Sequence, residues 1–300
     1  MATSISTAFY DALFDVTNMD ASMNILEETT LANVRQVLND PEQLSKHIPP
    51  LPIILLELIE TLKDPNANFL DFIKIIEKDP SLSLTVLKIA NSAKYSRSDT
   101  GIQSLQKAVG VLGTVGVANI ATTVLMKSLM PQSPIYFKKF GRQIWEHSLQ
   151  CAFLCQTLAV KHEQNEFDAH FLGLIHDVGK IIIFGALCNA LSNVLPGELP
   201  GSLAFKQLMS EMSLDISYSI VKEWNLPNVY CDALLAQSLG KSTPLSSVLF
   251  KANVISEIYI LSKKNKITEN QIETVLAKIK VDKSIWLNFL ENADDFNLNS

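Results

Sequence analysis

Gly173-Leu174-Ile175-His176-Asp177-Val178-Gly179-Lys180 is the stretch on which the reading of this chain turns. A His and an Asp stand side by side between apolar residues and a glycine. Adjacent helical residues point about 100° apart, so the two reach a common ion most easily at a helix end, where the chain bends. Gly179 is the candidate for that bend. Upstream, near the start of a long helical segment over 140–162, comes Trp145-Glu146-His147-Ser148. Two histidines and a carboxylate from separate helices are reasonable ligands for a transition metal. Such an ion could polarise a phosphoryl group or activate water. A buried His-Asp pair that only positions helices uses the same residues. Taken alone, the residues leave both readings open.

Outward from this run, almost every segment fits a helical period better than strict alternation. Pro49-Pro50-Leu51-Pro52 reads as an extended entry strip, because each proline fixes its own backbone and discourages helix before it. Asn68 can cap a helix carrying Phe69, Phe72, Ile73 and Ile76 on one face. Asp79-Pro80 restarts the chain into a helix with Leu82, Val86, Leu87 and Ala90. Gly110, Gly113 and Gly116 lie three apart, without a preceding strand or a following Lys-Ser/Thr, so tight helix ends explain them better than a phosphate loop. Further helices follow from Tyr136 to about Leu290. The expectation is an all-α, multi-helix bundle of about thirteen to sixteen helices in two lobes.

Composition narrows the function classes. The formal net charge is -6, and no basic run exceeds Lys263-Lys264, so nucleic acid is not an expected partner. No apolar stretch is read as approaching the roughly 18–20 residues that span a bilayer, and Met1 to Thr17 lacks a secretory pattern, so no membrane partner is expected. Cys151 and Cys155, one helical turn apart in an apolar stretch, read as small core residues without zinc-site spacing. A reducing, cytoplasmic location is the simplest fit. Trp145 and Trp224 read as core, and His162 and His170, flanking the polar turn 163–168, as surface residues.

The order of short motifs resembles the HDOD domain family, the regulatory branch of the HD metal-dependent phosphohydrolase superfamily. The resemblance rests on Pro49-Pro50-Leu51-Pro52, Glu77-Lys78-Asp79-Pro80-Ser81-Leu82 and Leu87-Lys88-Ile89-Ala90-Asn91-Ser92-Ala93-Lys94-Tyr95. It continues through Ile102-Gln103-Ser104-Leu105-Gln106-Lys107-Ala108-Val109, Leu112-Gly113, Trp145-Glu146-His147-Ser148, His176-Asp177 and Trp224-Asn225-Leu226-Pro227. It implies an HD-like fold, with an N-terminal helical extension over 1–40, an HDOD domain over 41–240 (N-terminal lobe to about 134, HD-like lobe after) and a C-terminal helical extension over 241–300.

By the same resemblance, His147, His176 and Asp177 are the remnant of a metal-ligand set whose final Asp falls on Asn253, a neutral amide. A histidine of the pattern falls on Ser213, and a His pair on Gln237 and Ser238. Ser and Gln are poor transition-metal ligands. The metal site is therefore read as degenerate: no catalytic residue is assigned, no cofactor is expected, and a divalent transition metal is the one candidate. Lys180, Asn91 and Tyr95 are candidate ligand or partner contacts. For Lys180 the plainer reading is a surface or intrahelical ion pair, and for Asn91 a helix stop. The resemblance implies a non-catalytic bacterial signalling protein that acts through protein partners or a small nucleotide ligand. The alternative is a metal-dependent phosphohydrolase acting on a nucleotide or cyclic dinucleotide.

Overall fold

The computed structural model describes residues 2–14, 22–92, 101–130, 135–191 and 201–293. Tyr95 lies outside the described residues. Within them the chain is all-α, with fifteen helices and no strand. Packing divides it into two units, Pro49–Met130 and the combination of Met1–Ile48 with Pro131–Ser300. The first three helices, α1 (Ala2–Phe14), α2 (Ile25–Asn39) and α3 (Pro41–His47), belong to the latter unit.

The smaller unit is built from α4 (Ile53–Lys63), α5 (Phe69–Glu77), α6 (Pro80–Ala90) and α7 (Leu105–Ser128). Its boundaries follow from local chemistry. Asn68 and Asp71 form a reciprocal capping box at the start of α5. The Asp79 carboxylate caps α6, whose first residue, Pro80, lacks an N–H that would have had no partner. Gly113 has φ +72° and breaks α7 into two helical parts, as the glycine spacing anticipated. Asn91 ends α6. Its amide donates to the Ile102 carbonyl at 2.7 Å and accepts the Ile102 N–H at 2.6 Å. This side chain therefore holds two distant backbone segments together, which is the helix-stop reading extended by a tertiary clamp.

The larger unit continues with α8 (Ile135–Lys161), α9 (Glu166–Ile175), α10 (Val178–Leu191), α11 (Leu203–Glu223), α12 (Asn228–Ser238), α13 (Pro244–Lys263), α14 (Glu269–Lys278) and α15 (Lys283–Asn292). Its core includes Phe171, Phe184, Phe205, Tyr230 and Phe289. Trp145 and Trp224 are buried with them, as expected of core residues. The Trp224-Asn225-Leu226-Pro227 motif is a helix stop: Asn225 takes φ +52°, and the Leu226 N–H returns to the Val221 carbonyl. Pro227 then caps α12.

Two glycines set how closely the helices approach. A Cβ on Gly173 would stand 2.7 Å from the backbone of Cys151 and Ala152, so α9 lies directly on α8. A Cβ on Gly179 would stand 2.3 Å from the Ser213 carbonyl oxygen, so α10 lies on α11 just as closely. Gly179 also donates its N–H to the Ser217 hydroxyl at 2.9 Å. It is thus a contact glycine within α10 and not the bend expected of it.

Two further expectations are corrected. His170 is buried on α9, because the turn before it is short and Asn165 caps the helix at once, turning the first residues inward. Three helical windows, Leu105–Ser128, Glu166–Leu187 and Pro244–Lys263, are long and apolar enough by composition to cross a membrane. Gly113 interrupts the first, the His176-Asp177 junction interrupts the second, and the third buries most of its surface against protein.

Candidate functional site

The α9–α10 junction makes the site. Helix α9 ends at Ile175, His176 is its C-cap, and α10 begins at Val178. The change of direction brings the His176 and Asp177 side chains together, where two consecutive residues of one helix would diverge. Helix α8 supplies His147 and helix α13 supplies Asn253. His147 Nε2 lies 3.0 Å from Asn253 Oδ1 and 3.3 Å from an Asp177 oxygen. His176 Nε2 lies 3.1 Å from Asn253 Oδ1 and 3.4 Å from the other Asp177 oxygen. All three sequence-predicted ligands therefore meet, and Asn253 occupies the fourth side. Lys180 joins them with Nζ 2.6 Å from Asp177. Asn91 belongs to the smaller unit, where it serves the clamp described above.

Each imidazole is oriented from behind. His176 Nδ1 is 2.8 Å from the Gly173 carbonyl, which can only accept, so Nδ1 carries the proton. His147 Nδ1 is 2.8 Å from Ser256 Oγ, and that hydroxyl donates to Gln150 at 2.7 Å, so it accepts from His147. In their neutral forms both rings then aim an Nε2 lone pair at Asn253 Oδ1. The Asn253 amide nitrogen is turned the other way, donating to Glu257 at 3.3 Å. Lone pairs facing lone pairs at about 3 Å ask for a cation between them. This donor set fits a divalent transition metal.

Helix α1 lies over the site. The Phe9 ring sits 4.9 Å from the His147 ring, and Lys180 Nζ lies 5.2 Å from the Phe9 centroid and 5.6 Å from that of Tyr10. The Ser6 hydroxyl donates to Glu257 at 3.1 Å. Asp11 pairs with Lys206, and Lys264 donates to the Ala12 carbonyl near the end of the helix. In consequence His147, His176, Asp177 and Lys180 are all 5% exposed or less.

Burial sets the protonation states. It holds His147 neutral, down to about 3, with the pull of Asp177 too weak to offset it. Burial also opposes charge on Asp177, yet His176, Lys180 and His147 together keep its carboxyl well below the usual range. Lys180 is likewise opposed by burial but held above its usual range, foremost by Asp177. Burial pushes the Glu257 carboxyl up to about 7 against the attraction of Lys180.

Sequence reasoning missed several parts. Lys180 is a buried partner of Asp177, not a surface pair. Cys151, placed in the core, lies with its sulfur 3.7 Å from His147 Nε2. One signal was available, since Cys151 follows His147 by four residues and must share its helix face. Phe9, Tyr10, Ser256 and Glu257 carried no local signal.

Comparison with known proteins places these observations. The profile of the HDOD domain matches residues 48–239. A protein of Treponema pallidum (strain Nichols), described as uncharacterised, is 23% identical over 218 residues, covering 69% of this chain. The chain spans only 42% of that relative's length. Among solved structures, a protein of Shewanella amazonensis SB2B, provisionally assigned as a metal-dependent phosphohydrolase, superposes with TM-score 0.63 at 17% identity, covering 90% of this chain and 99% of its own. An HDOD domain protein of unknown function from Geobacter sulfurreducens superposes with TM-score 0.61 at 20% identity, covering 91% of this chain and 99% of its own. At these identities the likeness is one of fold.

Proposed function

Because the chain belongs to the HDOD domain family, we propose that it is a non-catalytic signalling module, acting through protein partners or a small nucleotide ligand. The observation that carries this reading is the closure of the site by α1. A hydrolase must admit a charged phosphoester and water to its reacting atoms. Here the aromatic rings of Phe9 and Tyr10 stand over His147 and Lys180, and no site side chain is more than 5% exposed. Two further features support it. Asn253 supplies a neutral amide where a carboxylate would be a stronger ligand. Ser213, Gln237 and Ser238 spend their polar atoms on Ser210, Ser246 and Asp215. A cytoplasmic setting belongs to the same proposal, on the unpaired cysteines Cys151, Cys155 and Cys231.

One observation favours a metal-dependent phosphohydrolase instead: the convergence of two imidazoles, Asp177 and a cationic Lys180. In that reading His147, His176, Asp177 and Asn253 would hold the ion, which would supply Lewis acidity toward a phosphoryl oxygen. Lys180 would turn from Asp177 to the phosphate, and α1 would have to leave.

The test is an assay of the full chain with manganese, iron(II) or zinc against bis(p-nitrophenyl) phosphate and a panel of cyclic dinucleotides. A Phe9→Ala/Tyr10→Ala variant, with its cover thinned, is assayed alongside. No turnover above the metal-matched buffer is expected from either protein. Turnover abolished by His176→Ala would establish the hydrolase.

A further inference from the structure

We propose that Cys151 completes a buried, thiolate-bearing metal site with His147, His176 and Asn253, suited to zinc in preference to a harder ion. The inference goes beyond the signalling reading and stands whether or not the protein turns over a substrate.

The geometry is that of a four-donor shell. His147 Nε2, His176 Nε2 and Cys151 Sγ all lie within 4.8 Å of one another. Cys151 Sγ is 3.7 Å from His147 Nε2 and 4.0 Å from Asn253 Oδ1, and that oxygen is 3.0 and 3.1 Å from the two imidazole nitrogens. Zinc bonds of about 2.0–2.1 Å to nitrogen and about 2.3 Å to sulfur put tetrahedral ligand atoms roughly 3.3–3.6 Å apart. The four donors need shifts of only a few tenths of an ångström at most of these edges.

The plain alternative is that Cys151 fills the core and lends its S–H weakly to Asn253 Oδ1. One thiol proton cannot satisfy that oxygen and both Nε2 lone pairs, and 4.0 Å is a long contact even for sulfur. The Nδ1 protons are already committed to Gly173 and Ser256. Such backing of each imidazole is what fixes a metal-binding tautomer.

Charge points the same way. Asp177 is neutralised by Lys180 at 2.6 Å, and Glu257 is turned to Asn253 and Ser6. Cys151 is the donor in this shell that can bring a negative charge to a divalent ion. As the metal–sulfur bond forms, the S–H bond breaks and the proton leaves to solvent, with no change in oxidation state. A soft sulfur selects zinc-like ions over magnesium or manganese. A shell closed by protein, with α1 over it, is that of a structural site.

The experiment uses the full chain, unfolded and refolded with cobalt(II) as a spectroscopic stand-in for zinc, then desalted. The expected result is stoichiometric cobalt with a thiolate-to-cobalt charge-transfer band in the near ultraviolet. That band should be lost in Cys151→Ser, retained in Cys155→Ser and abolished by adding zinc. X-ray absorption of the wild-type zinc form should show one sulfur among nitrogen and oxygen neighbours, which needs no variant to fold. Failure to retain cobalt, cobalt without the band, or a band that survives Cys151→Ser with no sulfur in the zinc shell each overturns the proposal. None of these outcomes bears on turnover, so the signalling reading is tested separately.

Discussion

Gly179 and Gly185 lie on the same helix, α10, and their replacement by alanine should act in opposite directions. A Cβ at Gly179 would sit 2.3 Å from the Ser213 carbonyl oxygen and within 2.9 Å of Ser217 Oγ. An ordinary carbon–oxygen contact needs nearly 1 Å more, and the opposing atom is backbone, so the two helices must part. Overpacking of this kind costs about 1–3 kcal/mol. Separating α10 from α11 also strains the Gly179 N–H bond to Ser217, so the upper half of that range is expected. At Gly185 an added Cβ meets nothing within 4 Å. There, alanine should stabilise the helix by about 0.5–1 kcal/mol. Urea unfolding followed by tryptophan fluorescence measures both changes. Trp145, Trp224 and Trp286 all belong to the larger unit, so the signal follows its unfolding and not that of the smaller one. With m of about 2 kcal/mol/M, Gly179→Ala should lower the midpoint by about 1 M and Gly185→Ala should raise it by about 0.3 M. A Gly179→Ala midpoint equal to wild type, or one above that of Gly185→Ala, would refute close helix approach as the reason for this glycine.

Lys180→Met should cost the larger unit about 3–5 kcal/mol by leaving the Asp177 carboxylate buried without its cation, while Lys180→Met/Asp177→Asn should recover much of that loss in the same titration. His170 is buried with Nδ1 unpartnered, and burial lowers it to about 4 from an ordinary 6.5. The unfolded chain therefore takes up the proton first, so this contribution is complete above about pH 6.5 and is lost as pH falls toward 4. His170→Leu should flatten that acid limb by about 3 kcal/mol at most, and an unchanged limb would contradict the assignment. Asn91→Ala should open the Ile102 clamp and speed amide hydrogen exchange at Ile102 by at least tenfold, corresponding to a loss of about 1–3 kcal/mol.

What the sequence made legible was local or motif-borne. Asn68, Asp79 and Gly113 mark helix limits through their own backbone chemistry, and the structure uses them so. His147 and His176-Asp177 were visible because ligand-type residues are conspicuous in apolar surroundings, and the order of motifs pointed to Asn253 as their companion. The environment of those residues was not legible. Whether Lys180 is a surface pair or a buried cation depends on α1 and α13, which are far from it in sequence. His170 was misplaced because a polar turn before it suggested solvent, although the capped helix rotates it inward. Gly179 was noticed for the right position and the wrong reason: a glycine needed for contact and one needed for a turn look identical in a sequence. The membrane-length windows were missed because scattered polar residues were weighed as breaks, when the actual breaks are backbone events at Gly113 and at the His176-Asp177 junction.

The balance of charge around Asp177 bears on both functional readings. One carboxylate and one ammonium cancel, His147 is held neutral by burial, and Asn253 is an amide. The closed site is thus close to neutral before any ion is added, and Phe9 and Tyr10 can cover it without stranding a charge. A carboxylate in place of Asn253 would add an uncompensated negative charge under those rings, which would have to be met by a metal ion or by exposure to water. The amide at this one position therefore does two things at once. It weakens the pull on a hard catalytic ion, and it permits the cover that keeps substrate out. For the same reason a metal that does enter must bring its own anion, and the Cys151 thiol, one turn along α8 from His147, is placed to provide it.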